Sequence, residues 1–228
     1  MQDRLCNNLK DSVELARHSE ELGVDAIAAI PPIYFRLPEH SIAAYWNAIS
    51  QAAPQTDFVI YNIPQLAGVA LTPSLYQEML KNPRVIGVKN SSMPVQDIDT
   101  FVRLAGSDYI VFNGPDEQFL GGRLMGARGG IGGTYGAMPE LFLRLDALIG
   151  LKELDTARAL QARINDIIGR LVSGHGHMYA VIKEVIRLND GVDCGSVRLP
   201  LTGLTESDKV LAQEVAALIQ ASKEEFSA

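Results

Sequence analysis

Short apolar runs alternate with stretches of helical spacing along the first part of the chain. The runs are rich in Val, Ile and aromatic residues and predict five strands, at residues 24–30, 57–63, 85–91, 109–114 and 129–134. They show little polar alternation, which is typical of strands covered on both faces. Repeated strand–helix–strand units predict parallel strands joined by right-handed crossovers. The pattern therefore predicts an α/β fold.

Helix signals fill the intervals and then take over the rest of the chain. Apolar positions recur every three or four residues, which predicts helices at 8–22, 39–53, 72–81, 95–104 and 116–125. Thr72 followed by Pro73 is typical of a helix start. Beyond residue 134 we expect only helices, at 139–149, 153–173, 178–188 and 205–226, the last opening on a capping box from Thr205 to Asp208. Five strands do not close an eight-stranded barrel, so the sheet is either open or the later part of a barrel.

Composition narrows the class of protein. Of the 228 residues, 47% are hydrophobic and 21% are charged, which allows a sizeable core. The formal net charge of −7 argues against a nucleic-acid surface, which needs clustered Lys and Arg. The apolar runs are too short to span a bilayer, and the first six residues lack the apolar core of a signal peptide. Cys6 and Cys194 form no C-x-x-C pair. We expect a soluble cytoplasmic protein without a membrane or nucleic-acid partner.

The polar residues that follow the predicted strands are the candidates for chemistry, because sites in parallel α/β folds form at the carboxyl ends of strands. Lys89 ends an apolar strand where another aliphatic residue would be usual. A desolvated lysine amine can act as a nucleophile. Tyr61 ends the preceding strand, about 4.8 Å away across the sheet, and a phenol beside a lysine can move protons. The alternatives are a lysine that reaches solvent and a tyrosine packed at the rim.

An acidic pair, a glycine-rich run and the histidines are the other candidates for a binding site. Asp116 and Glu117 follow Gly114, where they either stabilise a helix start or hold sugar hydroxyls. The glycines from 129 to 136 match neither a phosphate loop nor a dinucleotide fingerprint, so they fit a tight wall beside a ligand or a strand. The histidines make no metal pattern, and we expect no metal site; they are His18, His40, His175 and His177.

Taken together, these strand ends resemble the N-acetylneuraminate lyase and dihydrodipicolinate synthase family of class I pyruvate aldolases, from about Asn7 to the C-terminus. The Tyr-Asn-Ile-Pro run that starts at Tyr61, and Lys89 twenty-eight positions on, match that family's catalytic tyrosine and Schiff-base lysine. The Gly-Gly-Ile-Gly run from Gly129 resembles its glycine-rich eighth strand. The resemblance implies a (β/α)8 TIM barrel with a C-terminal helical bundle, usually a homotetramer. Tyr34 looks like the family tyrosine that reaches into a neighbouring subunit's site.

Three positions place the chain among the subgroups of that family. Dihydrodipicolinate synthases usually carry an arginine two residues after the motif proline, and this chain has Leu66, which removes a bidentate carboxylate clamp. Ser91 stands where the sialic acid lyases usually have threonine, and Gly133 where they have serine. The positions that resemble their substrate contacts are Ser91, Gly114, Asp116, Glu117, Ile131 and Gly133.

The front of the family pattern has no counterpart in this sequence. The family's first three strands are missing, and with them the Gly-Ser/Thr-Thr-Gly-Glu turn that holds the pyruvate carboxylate. We therefore expect residues 1–136 to form a partial barrel of about five strands, and residues 137–228 to form the last barrel helix and the C-terminal helical region. A truncated product, a misplaced start, a processed fragment and a degenerate member are all compatible with this. Open sheet edges predict a homo-oligomer, and the missing turn predicts weak turnover.

The resemblance implies a lyase that cleaves N-acetylneuraminate or a related 2-keto-3-deoxy sugar acid to pyruvate and an aldehyde. Lys89 would form the imine, Tyr61 would move the proton, and Tyr34 of a neighbouring subunit would support that relay. The protonated imine is the electron sink, so we expect no cofactor. The alternatives are a dihydrodipicolinate-synthase-like addition of pyruvate to an aldehyde, and an inactive scaffold or regulatory homologue.

We predict that cleavage of a sialic acid is faster than condensation of pyruvate with aspartate semialdehyde. Leu66 provides no cation for the second carboxylate of the condensation, whereas Asp116 and Glu117 are candidate acceptors for sugar hydroxyls. The ratio of kcat/KM for the two reactions measures this preference. A faster condensation would contradict it.

Overall fold

The computed structural model describes residues 2–3 and 7–227 and contains one parallel β-sheet. The six strands lie side by side in the order of the chain, and every neighbouring pair is parallel. They are β1 (Gln2–Asp3), β2 (Ala26–Ala29), β3 (Asp57–Asn62), β4 (Val85–Asn90), β5 (Ile110–Asn113) and β6 (Gly129–Gly130). The predicted α/β class, with a parallel sheet and helices, is confirmed.

Ten α-helices accompany the sheet in the described part of the chain. Between the strands lie α1 (Leu9–Glu21), α2 (Glu39–Gln51), α3 (Pro64–Ala67), α4 (Pro73–Met79), α5 (Gln96–Ala105) and α6 (Phe119–Leu124). After β6 come α7 (Pro139–Leu151), α8 (Leu154–Leu171), α9 (Met178–Asp190) and α10 (Glu206–Glu225). Short 3₁₀ turns at Asp116–Gln118 and Tyr135–Ala137 complete the set. None of these helices is long and apolar enough to cross a membrane.

Side-chain caps explain where several helices begin. Asn8 accepts a hydrogen bond from the backbone N–H of Asp11 at the start of α1, and Thr72 accepts one from Leu75 at the start of α4. At the start of α10, Thr205 and the third helical residue cap each other reciprocally. These contacts satisfy amide groups that have no partner inside a helix. The predicted starts at Thr72 and Thr205 are confirmed.

The predicted order, with five strands and a helix before the first of them, is wrong, because a sixth strand comes before α1. The strand β1 precedes α1 and pairs with β2 through Gln2 opposite Ile27 and Asp3 opposite Ala28. A two-residue strand of Gln and Asp carries no apolar run, so hydrophobic periodicity cannot detect it. Its backbone pairing with β2 identifies it.

The strand predicted at 129–134 is also shorter than expected, since β6 ends at Gly130. The backbone N–H of Thr134 donates to the carboxylate of Asp116 at 2.8 Å instead of joining a ladder. The short helix α3 was not predicted either. It begins at Pro64 and ends before Gly68, whose backbone is left-handed. Proline at the first helical position and glycine after the last are the expected signals for so short a helix.

The chain divides into two compact units, each with a core of its own. The first, here called the sheet unit, comprises Met1–Pro115 and Gly121–Gly130, and the second, the helical unit, comprises Asp116–Leu120 and Ile131–Ala228. In the sheet unit the helices pack on one face of the sheet around large side chains such as Trp46, Phe58 and Tyr76. The core of the helical unit comes from α7 to α10 and their flanking turns, and includes Leu141, Leu145, Ile164, Val185 and Val215.

Asp208 ties the turn between α8 and α9 to the start of α10. This side chain is 1% exposed, and its carboxylate accepts hydrogen bonds from the backbone N–H groups of Thr205 (2.8 Å), His175 (2.8 Å) and Gly176 (3.0 Å). The Thr205 hydroxyl donates to it as well, at 2.8 Å. The backbone hydrogen bond from Thr205, with the others, holds the pKa of Asp208 well below its usual range. The ionised form is therefore the one that the fold stabilises.

We predict that Asp208→Asn lowers the Tm at neutral pH, because an amide nitrogen would face backbone donors. Since the folded-state pKa of Asp208 is lowered, its contribution is present above the unfolded pKa of about 3.9 and is lost as pH falls below that value. The Tm difference between the two proteins should therefore shrink below about pH 4. Asp166→Asn, at an exposed position on α8, is the control and should leave the Tm unchanged. An equal Tm difference at pH 7 and pH 3 would contradict the prediction.

Candidate active site

Lys89 and Tyr61 lie beside each other at the carboxyl ends of β4 and β3. The two residues are register partners in the parallel ladder. Lys89 is 8% exposed and is the only lysine among the buried residues of the described chain. Its Nζ lies 3.7 Å from the centroid of the Tyr61 ring, over the ring face, which is a cation–π geometry. A buried amine and a phenol therefore share one side of the sheet.

A one-residue irregularity in the sheet decides which side that is. Phe58 pairs with Val85, but the next residue of β3, Val59, pairs with Gly87, so β4 carries one residue more than its partner. Val85 and Val88 both belong to the larger, helix-covered core, although residues three positions apart in a regular strand point to opposite faces. In an uninterrupted strand Lys89 would point to the same face as Val85. The bulge turns Lys89 to the opposite face instead.

Gly87, directly after the bulge, allows β4 to approach β5 closely. A Cβ atom at this position would lie 1.8 Å from the backbone oxygen of Ile110 in β5, a distance that no side chain tolerates. Gly87 and Ile110 are partners in the ladder. Gly87 is not among the predicted site residues, although a glycine within an apolar strand is a known signal of a bulge or of close backbone approach.

Two further predicted residues lie next to Lys89 in the sheet unit. Ser91 follows β4 and is 7% exposed. Gly114 follows β5, and its N–H donates to the Asn90 carbonyl at 2.7 Å. A Cβ on Gly114 would lie 1.9 Å from the Ser91 Oγ, so glycine is required for the serine to occupy this place. The structure thus brings Tyr61, Lys89, Ser91 and Gly114 together.

Tyr34 lies in the same unit, in the loop between β2 and α2, but this residue is 88% exposed. The ring meets Phe35 edge to face, with centroids 4.9 Å apart. Its backbone has a φ of 84°, a conformation that is strained for a bulky residue. The loop therefore presents Tyr34 away from the described chain instead of packing it.

In the helical unit, the buried carboxylate of Asp116 holds a glycine-rich loop. Its Oδ2 accepts from the N–H of Thr134 at 2.8 Å and from the Thr134 hydroxyl at 2.6 Å. A Cβ on Gly132 would lie 1.4 Å from the other carboxylate oxygen, Oδ1. Glu117 is exposed, and only its backbone carbonyl is anchored, by the Asn165 amide at 3.2 Å. The two neighbouring acids therefore differ: one is committed to the loop and one presents its side chain to solvent.

The remaining predicted residues belong to that loop. Ile131 is half-buried and Gly133 is exposed. A Cβ on Gly133 would lie 2.9 Å from the Tyr179 hydroxyl, so the first turn of α9 places a phenol beside this glycine. Tyr179 is not among the predicted site residues, because no sequence pattern connects it to a loop more than forty residues earlier. Asp116, Glu117, Ile131 and Gly133 are thus grouped within the helical unit.

The described residues contain no group of three or more His, Cys, Asp and Glu side chains arranged to hold a metal ion. The Tyr61–Lys89 pair brings an amine and a phenol together. A buried primary amine can attack a carbonyl carbon, and a neighbouring phenol can carry the protons that such an attack requires.

Comparison with known proteins identifies the relatives of the chain. The model of the dihydrodipicolinate synthetase family matches residues 5–222. The N-acetylneuraminate lyase of Mediterraneibacter gnavus is 63% identical over 221 residues, which cover 97% of this chain and 70% of that enzyme. The chain is thus a close homologue of N-acetylneuraminate lyase and spans less than three quarters of its length.

Solved structures give the same result. The wild-type sialic acid aldolase of Ruminococcus gnavus superposes with a TM-score of 0.96 at 62% identity, over 98% of this chain and 74% of that one. A catalytic lysine mutant of the sialic acid aldolase of Ruminococcus gnavus gives a TM-score of 0.95 at 62% identity, over 97% and 73% of the two chains. The fold of the described residues is that of these aldolases.

We predict that Gly87→Ala destabilises the protein by roughly 1–3 kcal/mol, because the added methyl group forces β4 and β5 apart. The control is Gly169→Ala within α8, where a Cβ meets nothing within 4 Å. That exchange should be neutral or stabilising by up to about 1 kcal/mol, since alanine favours a helix. Urea unfolding of the two variants and the parent measures both effects. Equal stability of Gly87→Ala and the parent would show that the bulge does not depend on glycine.

Proposed function

Because this chain belongs to the dihydrodipicolinate synthetase family, we propose that it is a Schiff-base-forming lyase that cleaves N-acetylneuraminate or a related 2-keto-3-deoxy sugar acid to pyruvate and an aldehyde. The identity of 63% to an N-acetylneuraminate lyase favours this reaction within the family. The observation that carries the proposal is the buried Lys89 amine, 3.7 Å from the ring of Tyr61.

Lys89 is the proposed nucleophile. Its neutral amine attacks the C2 ketone of the substrate, and loss of water gives an imine that is then protonated. The protonated imine accepts the electron pair when the bond between C3 and C4 breaks, so an aldehyde leaves and an enamine remains. Protonation of the enamine at C3 and hydrolysis of the imine release pyruvate and restore the amine. A catalytic lysine is also named for the sialic acid aldolase of Ruminococcus gnavus, at 62% identity.

Tyr61 is the proposed proton carrier. It is half-buried and lies against the Lys89 amine, so one ring serves both as a contact for the cation and as an acid or base. The phenol takes the proton from the C4 hydroxyl as the aldehyde forms and returns a proton to the enamine. Ser91 and Gly114, which adjoin Lys89, are proposed to contact the bound substrate.

The sugar chain of the substrate is proposed to contact Asp116, Glu117, Ile131 and Gly133. The exposed carboxylate of Glu117 supports this role, as does the accessible loop that Asp116 holds. Leu66 is 72% exposed and offers no charge to a second substrate carboxylate, which favours cleavage over the condensation of a dihydrodipicolinate synthase.

We further propose that the protein is a homo-oligomer in which Tyr34 reaches a neighbouring subunit. The high exposure of this residue and its strained backbone support a role that the single chain does not explain. Residues 1–136 are proposed to be the later part of a (β/α)8 barrel, and residues 137–228 the last barrel helix and a C-terminal helical bundle. The sequential order of parallel strands, the arrangement found around a barrel, supports this.

We predict that Lys89→Ala abolishes the covalent adduct that borohydride traps from the full chain with pyruvate. Removing the amine removes the only atom that forms the imine, while the fold tolerates a smaller side chain at the strand end. Mass spectrometry after reduction detects the adduct. The control is Lys81→Ala, whose exposed side chain pairs with Glu78 near the other end of β4 and should leave the adduct intact. An undiminished adduct on Lys89→Ala would overturn the assignment.

A further inference from the structure

Each member of the Tyr61–Lys89 pair is followed by an asparagine that points to the opposite face of the sheet. Asn62 is 3% exposed and Asn90 is fully buried, and the two are register partners like the residues before them. A buried amide is costly unless its donors and acceptors are satisfied. Two such amides at adjacent strand ends therefore imply a specific set of partners.

Those partners form a directional chain of hydrogen bonds. The Asn62 Nδ2 donates to the Asn90 Oδ1 at 2.7 Å, and the Asn90 Nδ2 donates to the Ser92 Oγ at 2.9 Å. The Ser92 hydroxyl lies 2.7 Å from the Asp97 Oδ2 in the first turn of α5 and donates to it. The chain of donors thus ends on a carboxylate, and hydrogen bonds in such a chain strengthen one another.

The same residues also fix the backbone around the pair. The Asn62 carbonyl accepts from the N–H of Ser91 at 2.7 Å, and the Asn90 carbonyl accepts from Gly114 at 2.7 Å. The Asn62 Oδ1 accepts from the N–H of Leu71 at 2.9 Å. Asn90 is therefore connected to β3 and α5 through its side chain and to the end of β5 through its backbone. A shift of Asn90 would move Lys89, to which it is directly bonded.

We propose that Asn90 is a positioning residue for the reaction, acting with Asn62 and Ser92. Its side chain locks the ends of β3 and β4 together and thereby fixes the separation between the Lys89 amine and the Tyr61 ring. This inference rests on the proposed lyase function, because it concerns the groups that form and cleave the imine. Asn90 touches no substrate in this role; it acts through Lys89.

The expected effect is on turnover more than on affinity. A displacement of about 1 Å at reacting groups can lower a rate about 100-fold. Asn90→Ala removes the acceptor of the Asn62 Nδ2 and the donor to the Ser92 Oγ, so the strand ends can separate. We expect kcat for N-acetylneuraminate to fall about 10- to 100-fold, while KM changes less than about threefold.

A second asparagine pair provides a matched control. Near the opposite end of β4, the Asn82 Nδ2 donates to the Asn47 Oδ1 at 2.9 Å, and both side chains are half-buried. Asn82→Ala breaks an asparagine–asparagine hydrogen bond away from Lys89. It should lower the Tm without changing kcat.

The experiment measures kcat, KM, Tm and the rate of borohydride trapping with pyruvate for the full chain and the two variants. Ser92→Ala, which removes one hydroxyl from the same chain of hydrogen bonds, replaces Asn90→Ala if that variant does not fold, and should also lower kcat and trapping. A selective loss of kcat in Asn90→Ala, or in Ser92→Ala where that variant replaces it, supports the proposal if kcat is unchanged in Asn82→Ala.

Two results would overturn it. If kcat of Asn90→Ala, or of Ser92→Ala in its place, stays within about twofold of the parent's kcat, the hydrogen bonds serve stability alone. An equal loss of kcat in Asn82→Ala would show that any broken bond in the sheet unit has the same effect. If the parent protein forms no pyruvate adduct, the proposed function is wrong, and this inference is wrong with it. If the parent forms the adduct and Asn90→Ala, or Ser92→Ala in its place, turns over as fast as the parent, only this inference is wrong.

Discussion

The register between β3 and β4 is the constraint on which the candidate site depends. One extra residue at Ile86–Gly87 places Val85 and Val88 in the helix-covered core and sends Lys89 to the other face. In a regular ladder the lysine would enter the aliphatic core, and burying an unpaired ammonium group there costs several kcal/mol. The same shift turns the Asn90 amide towards Asn62 and Ser92. A single irregularity of the backbone thus places the Lys89 amine and the Asn90 amide on opposite faces of the sheet.

Hydrophobic periodicity predicts most of this fold because each long element buries a continuous stripe or face. The helices from Leu9–Glu21 to Glu206–Glu225 and the strands β2 to β5 have such a pattern, and they were found near their predicted places. Elements defined by other forces escaped prediction. β1 is identified by its backbone pairing with β2, and α3 begins at Pro64 and ends before Gly68, whose backbone is left-handed. The residues after Gly130 do not continue the predicted strand. The local sequence pattern does not show that the Thr134 N–H donates to the distant Asp116 carboxylate.

The candidate site also contains residues that the sequence predicts and residues that it does not. Lys89 and Tyr61 stand out in the sequence because a polar residue at the end of an apolar strand is conspicuous, and parallel pairing makes their proximity predictable. Asn90 and Tyr179 do not stand out, since their importance lies in what approaches them from other elements. Gly87 does carry a local signal, that of a glycine inside an apolar strand. The residue types of Lys89 and Tyr61 identify the candidate reactive groups. The contacts that orient those groups require coordinates.

The close approach of Gly132 to the Asp116 carboxylate has a consequence for how these proteins diversify. Any side chain at position 132 would occupy space that Asp116 Oδ1 already fills, with the Tyr135 ring 2.8 Å from the same point. A shorter residue at 116 would vacate that space but would release Thr134. The two positions therefore form one unit of variation: related proteins should exchange them jointly, and a library that randomises either alone would record both as intolerant. New loop shapes at this place are reachable only through paired changes.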